Sequence, residues 1–316
     1  MANYRAGDVI RLTRNAVGMT QEQLSEGICS VETLSRIENG KHKVKQSTYA
    51  QLMEKMERDP RRSYAVCTGK DMELLEERIW VEDAMAKHDY EKADSYLRRL
   101  KRKIADDKLS RQYIERIEGV IDYRLKRITA QRYVKKMKEV IQITVSDYEV
   151  YLHIETKEQA YPFTEQEVMV LNSLANGYGD IDQPQESIRI FDALLLCLEE
   201  GYMDPDSVTK LKMLIERNYV MALEEYGMYQ KALEKASKLL TLVIENDYGR
   251  MIPVVLVEIS WNMRKICKDN NGNMNNILPD IKKRLRQAYY IAAARNDYVN
   301  LKIIENFYFK CFDEKV

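Results

Sequence analysis

Cysteine, histidine, glycine and proline are scarce in this chain of 316 residues, which has five cysteines, three histidines, 12 glycines and six prolines. An odd number of scattered cysteines does not fit the framework of a disulfide-rich secreted protein. The histidines lie far from one another and from any cysteine pair, so no zinc-binding spacing occurs and no cofactor or metal is expected. With so few helix-breaking residues, the composition predicts an all-α protein.

Long apolar runs and an excess of one charge are also missing. The longest apolar runs, such as Ala193–Leu198, are far shorter than the roughly 20 residues that cross a bilayer. Charged residues occur early in the chain, at Arg5, Asp8 and Arg11, which excludes the apolar core of a signal peptide. We therefore expect a cytoplasmic protein with no membrane partner. Basic and acidic residues balance at 50 each, so net charge by itself does not indicate nucleic-acid binding.

The motifs of common enzyme classes are absent from the sequence. It contains no P-loop, no Gly-x-Ser-x-Gly, no His-Glu-x-x-His and no Gly-rich nucleotide turn, so an enzyme is not expected. Basic residues predominate over Arg98–Lys138, whereas acidic residues predominate over Asp147–Asp206. This asymmetry is consistent with complementary faces in a dimer, with a basic ligand groove, or with two solvated helix faces.

Two regions with different patterns follow each other along the chain. Residues 1–66 contain short helical segments and a linker, whereas residues 71–316 contain long amphipathic helices with apolar residues at i, i+3, i+4 and i+7. Small residues recur just inside the second helix of successive pairs, at Ala93, Ser187 and Ala232. We therefore predict a right-handed superhelical array of tetratricopeptide-like helix pairs, with a generic helical bundle as the alternative.

The first region carries the pattern of a helix-turn-helix. Thr20 and Gln23 form a capping box that starts one helix. Gly27 then turns the chain, and Ser30 caps a second helix that extends over Val31–Asn39. Apolar residues at helical spacing predict a small common core made of Ile10, Leu24, Ile28, Leu34, Ile37 and Leu52. In a helix-turn-helix, the second helix places its N-terminal residues in the major groove of DNA.

The outward face of this second helix supplies the predicted base contacts. Arg36 can form two hydrogen bonds with guanine, Glu32 can accept one from cytosine, and Val31 can pack on a thymine methyl group. Basic and short polar side chains nearby, among them Lys45, suit phosphates. The predicted DNA-binding set is Gln21, Ser30, Val31, Glu32, Ser35, Arg36, Asn39, Lys41 and Lys43. The alternative is a helical hairpin that contacts another protein.

The stretches Thr20–Ser30 and Leu34–Lys41 resemble the helix-turn-helix of bacterial XRE/Cro-type repressors. The turn Gly27–Ser30 is one residue shorter than in most of them and is similar to that of the RRNPP peptide-pheromone regulators of Firmicutes. That group carries such a domain ahead of tetratricopeptide repeats. The resemblance implies a transcription regulator that senses a short peptide in quorum sensing, and it implies an ion pair between Arg14 and Glu38. Over the rest of the chain it rests on the pattern of helix pairs.

Asparagine, a poor helix former, recurs inside the predicted long helices. Four of these asparagines follow one another at intervals of 46, 44 and 44 residues: Asn172, Asn218, Asn262 and Asn306. If successive repeats stack, these amides project from equivalent inner helices into one concave surface, and Asn176 lies one turn beyond Asn172. An amide both donates and accepts, which matches the backbone of an extended peptide. We therefore predict that these five asparagines bind peptide, the alternative being that they face solvent or bond neighbouring helices.

These patterns together predict a sequence-specific DNA-binding transcription regulator whose repeats bind a short signalling peptide. A homodimer on a double-stranded operator is expected, because such domains generally use two half-sites and one domain makes few DNA contacts. The alternative is a helix-turn-helix regulator whose repeats bind a partner protein or only dimerise, with no peptide ligand.

Overall fold

The structure is a computed structural model that describes residues 6–39, 41–42, 44–57, 69–104, 108–154, 156, 159–199, 203 and 205–316. All regular secondary structure within these ranges is helical, which confirms the predicted all-α class. No helix in the described ranges is long and apolar enough to cross a membrane. The chain divides into two compact units, Met1–Gly177 with Leu196–Thr209, and Tyr178–Leu195 with Lys210–Val316. The domain boundary predicted between residues 66 and 71 stays a prediction.

Four short helices form the N-terminal segment: α1 (Ala6–Ala16), α2 (Gln21–Ser25), α3 (Val31–Glu38) and α4 (Gln46–Lys55). Helices α1 and α2 each pack on both α3 and α4. Their shared core consists of Val9, Ile10, Leu24, Leu34, Ile37, Val44, Leu52, Met53 and Met56, with Ile28 partly buried against it. A Cβ atom at Gly7 would lie 2.0 Å from the carbonyl oxygen of Ile37, so this glycine permits the close approach of α1 to α3.

Five longer helices follow: α5 (Gly69–Ala86), α6 (Tyr90–Lys101), α7 (Lys108–Arg124), α8 (Ala130–Gln142) and α9 (Glu165–Gly179). Consecutive helices from α5 to α8 pack against each other, and Ala93 is fully buried where α6 meets its neighbours. A Cβ atom at Gly119 would lie 2.6 Å from Cε of Met137, so α7 and α8 approach closely at that point. Small residues therefore occur at helix contacts, as the pattern predicts.

Six helices complete the chain: α10 (Pro184–Glu199), α11 (Pro205–Glu225), α12 (Tyr229–Glu245), α13 (Ile252–Asp269), α14 (Leu278–Ala294) and α15 (Tyr298–Phe312). Consecutive helices from α12 to α15 pack against each other. Gly227 adopts φ of 76° in the turn between α11 and α12, a conformation that favours glycine. Ser187 and Ala232 are buried near the starts of α10 and α12. These helices confirm a helical repeat domain after the N-terminal segment.

The capping box predicted from the sequence is present at the start of α2, and a second capping box starts α9. At the start of α2, Thr20 Oγ1 accepts a hydrogen bond from the Gln23 backbone N–H at 3.2 Å, and Gln23 Oε1 accepts one from the Thr20 N–H at 2.8 Å. At the start of α9, Thr164 and Glu167 make the same reciprocal pair at 3.3 and 2.9 Å. Each box satisfies backbone donors that the first helical turn leaves without partners.

Candidate nucleic-acid interface and polar cluster of the repeats

The predicted recognition face lies on α3 and points away from the N-terminal core. Ser30 Oγ accepts a hydrogen bond from the Thr33 backbone N–H at 3.1 Å, which fixes the start of the helix. Leu34 and Ile37 anchor the opposite side of α3 in the core. The outward residues are Val31, Glu32, Ser35 and Arg36, of which Ser35 is half-buried and the others are exposed. A capped and anchored helix therefore presents these side chains on a rigid element.

The side chains predicted to contact phosphate differ in whether they already form hydrogen bonds within the protein. Gln21 Nε2 donates to Glu38 Oε2 at 2.6 Å, and Asn39 Nδ2 donates to the Ser35 carbonyl oxygen at 2.8 Å. The exposed cations beyond α3 are Lys41 and Lys45. Lys43 lies outside the described residues. The DNA contacts of all these residues stay predictions.

An ion pair inside the N-terminal segment joins the end of α1 to the end of α3. Arg14 donates from Nε to Glu38 Oε1 at 2.7 Å and from Nη2 to Glu38 Oε2 at 2.9 Å. Arg14 Nη1 also donates to the Met19 carbonyl oxygen at 2.9 Å. The carboxylate is 2% exposed, and its hydrogen bond raises the pKa of Arg14 above the ordinary value. The pair implied by the family resemblance is confirmed, and it locks the orientation of α3.

A cluster of polar side chains lies between α11 and α13 in the second unit. We call it the acidic cluster, and its members are Arg217, Glu224, Glu258 and Asn262. Arg217 Nε donates to Glu258 Oε1 at 3.1 Å. Asn262 is fully buried, and its Nδ2 donates to Glu224 Oε1 and to the Glu258 carbonyl oxygen. Glu258 Oε2 and Asn262 Oδ1 are buried without a hydrogen-bond partner among the described residues.

Burial sets the protonation of the acidic cluster. Desolvation, followed by repulsion from Glu258, raises the pKa of Glu224 to about 8. Desolvation raises the pKa of Glu258 to about 7, although Arg217 acts in the opposite direction. One cation faces two carboxylates, of which Glu258 is buried and Glu224 is half-buried, and the fold therefore favours at least one bound proton near neutral pH.

The predicted peptide-binding asparagines occupy different environments. Asn172 and Asn176 lie on α9 in the first unit, where Asn172 is buried and Asn176 is half-buried. In the second unit, Asn218 on α11 is 9% exposed, Asn262 on α13 is fully buried and Asn306 on α15 is exposed. The contact of Asn262 with Glu224 joins two helices, which matches the alternative role considered for these residues. A role for the five asparagines in peptide binding stays a prediction.

Sequence reasoning did not single out Glu224 or Glu258. A signal for Glu258 is present, because it interrupts the apolar segment Val254–Ile259 in the middle of a helix. Its significance depends on α11 lying opposite, which the helical period alone does not reveal.

The architecture defines a class of protein in which a helix-turn-helix domain precedes a domain of helical repeats. Residues 10–62 match the family model HTH_3, described as helix-turn-helix, which confirms the resemblance to XRE/Cro-type domains. No curated protein sequence matches the chain.

Two solved structures share this fold over almost the whole chain. PlcR of Bacillus thuringiensis, in complex with the peptide PapR7 and DNA, aligns with 95% of this chain and 99% of its own at 17% identity, with a TM-score of 0.63. ComR of S. thermophilus, in complex with DNA and its signalling peptide ComS, aligns with 97% of this chain and 99% of its own at 12% identity, with a TM-score of 0.55. Both are RRNPP regulators, so the predicted resemblance to that group is confirmed at the level of the fold.

Breaking the Arg14–Glu38 pair from either side should destabilise the N-terminal segment. Arg14→Met and Glu38→Gln each leave one charge buried without its partner, and each should lower the free energy of opening by about 3–5 kcal/mol. The double variant should lose less than the sum of the single losses, because neither charge is then stranded. Hydrogen exchange of the α1 and α3 amides in the intact chain measures this loss, with the exposed Glu26→Gln as control. Unchanged exchange in Glu38→Gln contradicts the prediction.

Replacing the half-buried carboxylate of Glu224 should stabilise the second unit at alkaline pH. Because the folded-state pKa of Glu224 is raised from 4.5 to about 8, its favourable contribution exists below about pH 4.5 and is lost as the pH rises to about 8. Glu224→Gln keeps the acceptor for Asn262 without the charge, so it should be about 1–3 kcal/mol more stable than the parent above pH 8.

Denaturant unfolding of the full chain at acidic and alkaline pH tests this expectation. The difference between Glu224→Gln and the parent should shrink as the pH falls, because the parent then carries the proton itself. Glu245→Gln, at an exposed position at the end of α12, serves as the control. A stability difference that does not depend on pH would show that Glu224 acts through packing.

Proposed function

We propose that this protein is a transcription regulator that binds operator DNA as a homodimer and responds to a short signalling peptide bound by its repeats. The observation that carries the proposal is the exposed face of α3, capped at Ser30 and fixed to α1 by the buried Arg14–Glu38 pair. Rigid display of a few side chains on one helix is what base readout in the major groove requires.

The chemistry of the α3 face supports sequence-specific binding. Arg36 is exposed and carries the fork of donors that matches the O6 and N7 acceptors of guanine. Glu32 and Val31 offer an acceptor for cytosine and an apolar group for the thymine methyl. The cations beyond the helix, Lys41 and Lys45, suit phosphate contacts that position the domain without reading sequence. Two such domains in a homodimer would read two half-sites of one operator.

Two independent observations support a peptide as the ligand of the repeats. The fold extends over the full length of PlcR and ComR, two regulators solved with DNA and peptide. The repeats also carry mid-helix asparagines whose amides suit the backbone of an extended peptide: Asn172, Asn176, Asn218, Asn262 and Asn306.

A peptide changes DNA binding only if it binds two conformations of the protein with different affinity. We propose that the free and peptide-bound repeats favour different placements of the DNA-binding domains in the dimer. The competing function, repeats that bind a partner protein or only dimerise, predicts DNA binding that does not respond to any peptide.

Arg36→Ala should weaken binding to the operator far more than binding to random DNA. Loss of a bidentate base contact costs about 1–3 kcal/mol on the preferred site and relaxes the preference at one base pair. Fluorescence anisotropy with an operator selected from randomised duplexes, beside a random duplex of equal length, measures both affinities.

Lys41→Ala is the matched control for Arg36→Ala. The Lys41→Ala variant should bind both duplexes more weakly by the same factor, and the salt dependence of its binding should fall by about one counterion. Equal losses on both duplexes for Arg36→Ala would show that Arg36 contacts phosphate instead of a base.

Asn218→Ala should weaken peptide binding without harming the unliganded fold. A peptide group left without its amide partner costs about 1–3 kcal/mol of affinity, whereas alanine is the better helix former. The probes are synthetic peptides that cover the short reading frames beside the gene, and the measurements are calorimetric titration and thermal melts of the free protein.

Asn246→Ala, on the exposed end of α12, should leave peptide affinity unchanged and so controls for a general effect of losing an amide. Asn262→Ala differs from both, because removal of its amide leaves Glu224 without a donor and should destabilise the free protein. A lower melting temperature of Asn218→Ala with unchanged peptide affinity would mean that Asn218 holds helices together.

A further inference from the structure

In the first unit, a buried arginine has no anionic partner among the described residues. Arg78 on α5 is 8% exposed, and its guanidinium carbon lies 4.0 Å from the centre of the Tyr113 ring on α7. It makes no ion pair with any residue that the structure describes, and its Nε is buried without a hydrogen-bond partner. A buried guanidinium is rarely left in this state, because removal from water is costly unless the charge is paired.

A second buried arginine lies beside the same ring. Arg116 on α7 is 6% exposed, and its guanidinium carbon lies 5.9 Å from the centre of the Tyr113 ring. Its Nε is also buried without a partner, and its Nη2 lies 3.7 Å from Glu82 Oε1. The same Glu82 oxygen accepts a hydrogen bond from the Tyr113 hydroxyl at 3.0 Å. The Arg116 guanidinium therefore has a weak contact with one carboxylate, and the Arg78 guanidinium has none among the described residues.

The acidic side chains that the structure describes nearby do not balance this charge. Glu77, which precedes Arg78 in the chain, directs Oε1 to Arg99 at 3.1 Å and to Lys103 at 2.7 Å. Among the described residues, Glu82 is the acidic side chain that approaches Arg116, and it is 47% exposed. We call Arg78, Tyr113 and Arg116, with Glu82 at the edge, the arginine pair site. The site holds two buried positive charges and one solvated negative charge, so a further anion would complete it.

We propose that the arginine pair site is an anion-binding subsite of the repeats that takes a carboxylate group. Guanidinium groups are planar and bind carboxylates through parallel hydrogen bonds, and stacking on Tyr113 holds Arg78 in place for such a contact. Glu82 is 47% exposed, so the site meets solvent at that edge. Assignment of the carboxylate to the signalling peptide rests on the proposed function, whereas the subsite itself does not.

Thermal melts of the full chain in acetate or inorganic phosphate, against chloride at equal ionic strength, test the subsite. Acetate and phosphate should raise the melting temperature of the parent by about 2–4 °C when the anion is near tenfold above its dissociation constant. The same shift should appear in Arg132→Met, which removes an exposed arginine of α8. It should be absent in Arg78→Met and in Arg116→Met.

Equal shifts in the parent and in Arg78→Met, or no shift in the parent, would overturn the proposal. In chloride, Arg78→Met should melt no lower than the parent, because it removes a buried charge that has no partner. If Arg78→Met fails to fold, Arg78→Lys provides the comparison, since it retains the charge without the planar fork and should bind acetate at least several-fold more weakly.

Two pools of randomised heptapeptides, one with a free carboxyl terminus and one amidated, identify the source of the carboxylate. Retention of the free-acid pool alone, lost in Arg78→Met, assigns the subsite to the terminal carboxylate of a peptide. Retention of both pools, also lost in Arg78→Met, assigns it to an acidic side chain of the peptide. Retention that does not depend on Arg78 counts against the subsite and leaves the proposed peptide function intact. Retention of neither pool, with the acetate shift present, assigns the subsite to a free carboxylate and counts against the proposed function.

Discussion

Each helix in the described parts of this chain buries an apolar face against its neighbours, and any polar group on such a face must find a partner there. This constraint determines where the fold is rigid and where it is open to ligands. An unpaired buried charge costs far more than an exposed one, because the surrounding helices cannot replace its hydration. The polar groups on buried faces therefore show where the fold compensates its buried charges and where it does not.

In the N-terminal segment, the constraint is met for the buried charge of Glu38, whereas the buried Thr13 Oγ1 has no hydrogen-bond partner among the described residues. Glu38 falls on the buried side of α3 but receives two hydrogen bonds from Arg14 and one from Gln21. The pair acts as a polar pin between the ends of two helices whose apolar contacts alone would permit some rotation. The face of α3 opposite this pin carries Arg36 and Glu32, and the direction in which they point follows from it.

In the repeats, the constraint is met in some places and left open in others. Gln112 is buried, but its amide bonds Val140 and Thr144 and accepts from Gln166, so that network is closed. The arginine pair site has two arginines and one carboxylate, whereas the acidic cluster has two carboxylates and one arginine. The acidic cluster relieves its imbalance by holding a proton, a solution that arginine cannot use because it does not deprotonate. For this reason, the arginine pair site depends on an external anion to balance its charge, whereas the acidic cluster does not depend on an external ion.

The sequence by itself determined the helical class, the capping box of Thr20 and Gln23, the core of the N-terminal segment and the partnership of Arg14 with Glu38. These features depend on local spacing, or on a short stretch whose pattern resembles a known domain, so neighbouring residues carry the information. The spacing of the asparagines also follows from the sequence, but the burial of Asn262 against Glu224 does not. The charge imbalances at Arg78, Arg116 and Glu258 were decided only by the tertiary structure. The sequence pattern around a charged residue is the same whether the residue is solvated or buried. Its burial depends on whether a helix distant in the sequence packs over it and removes water.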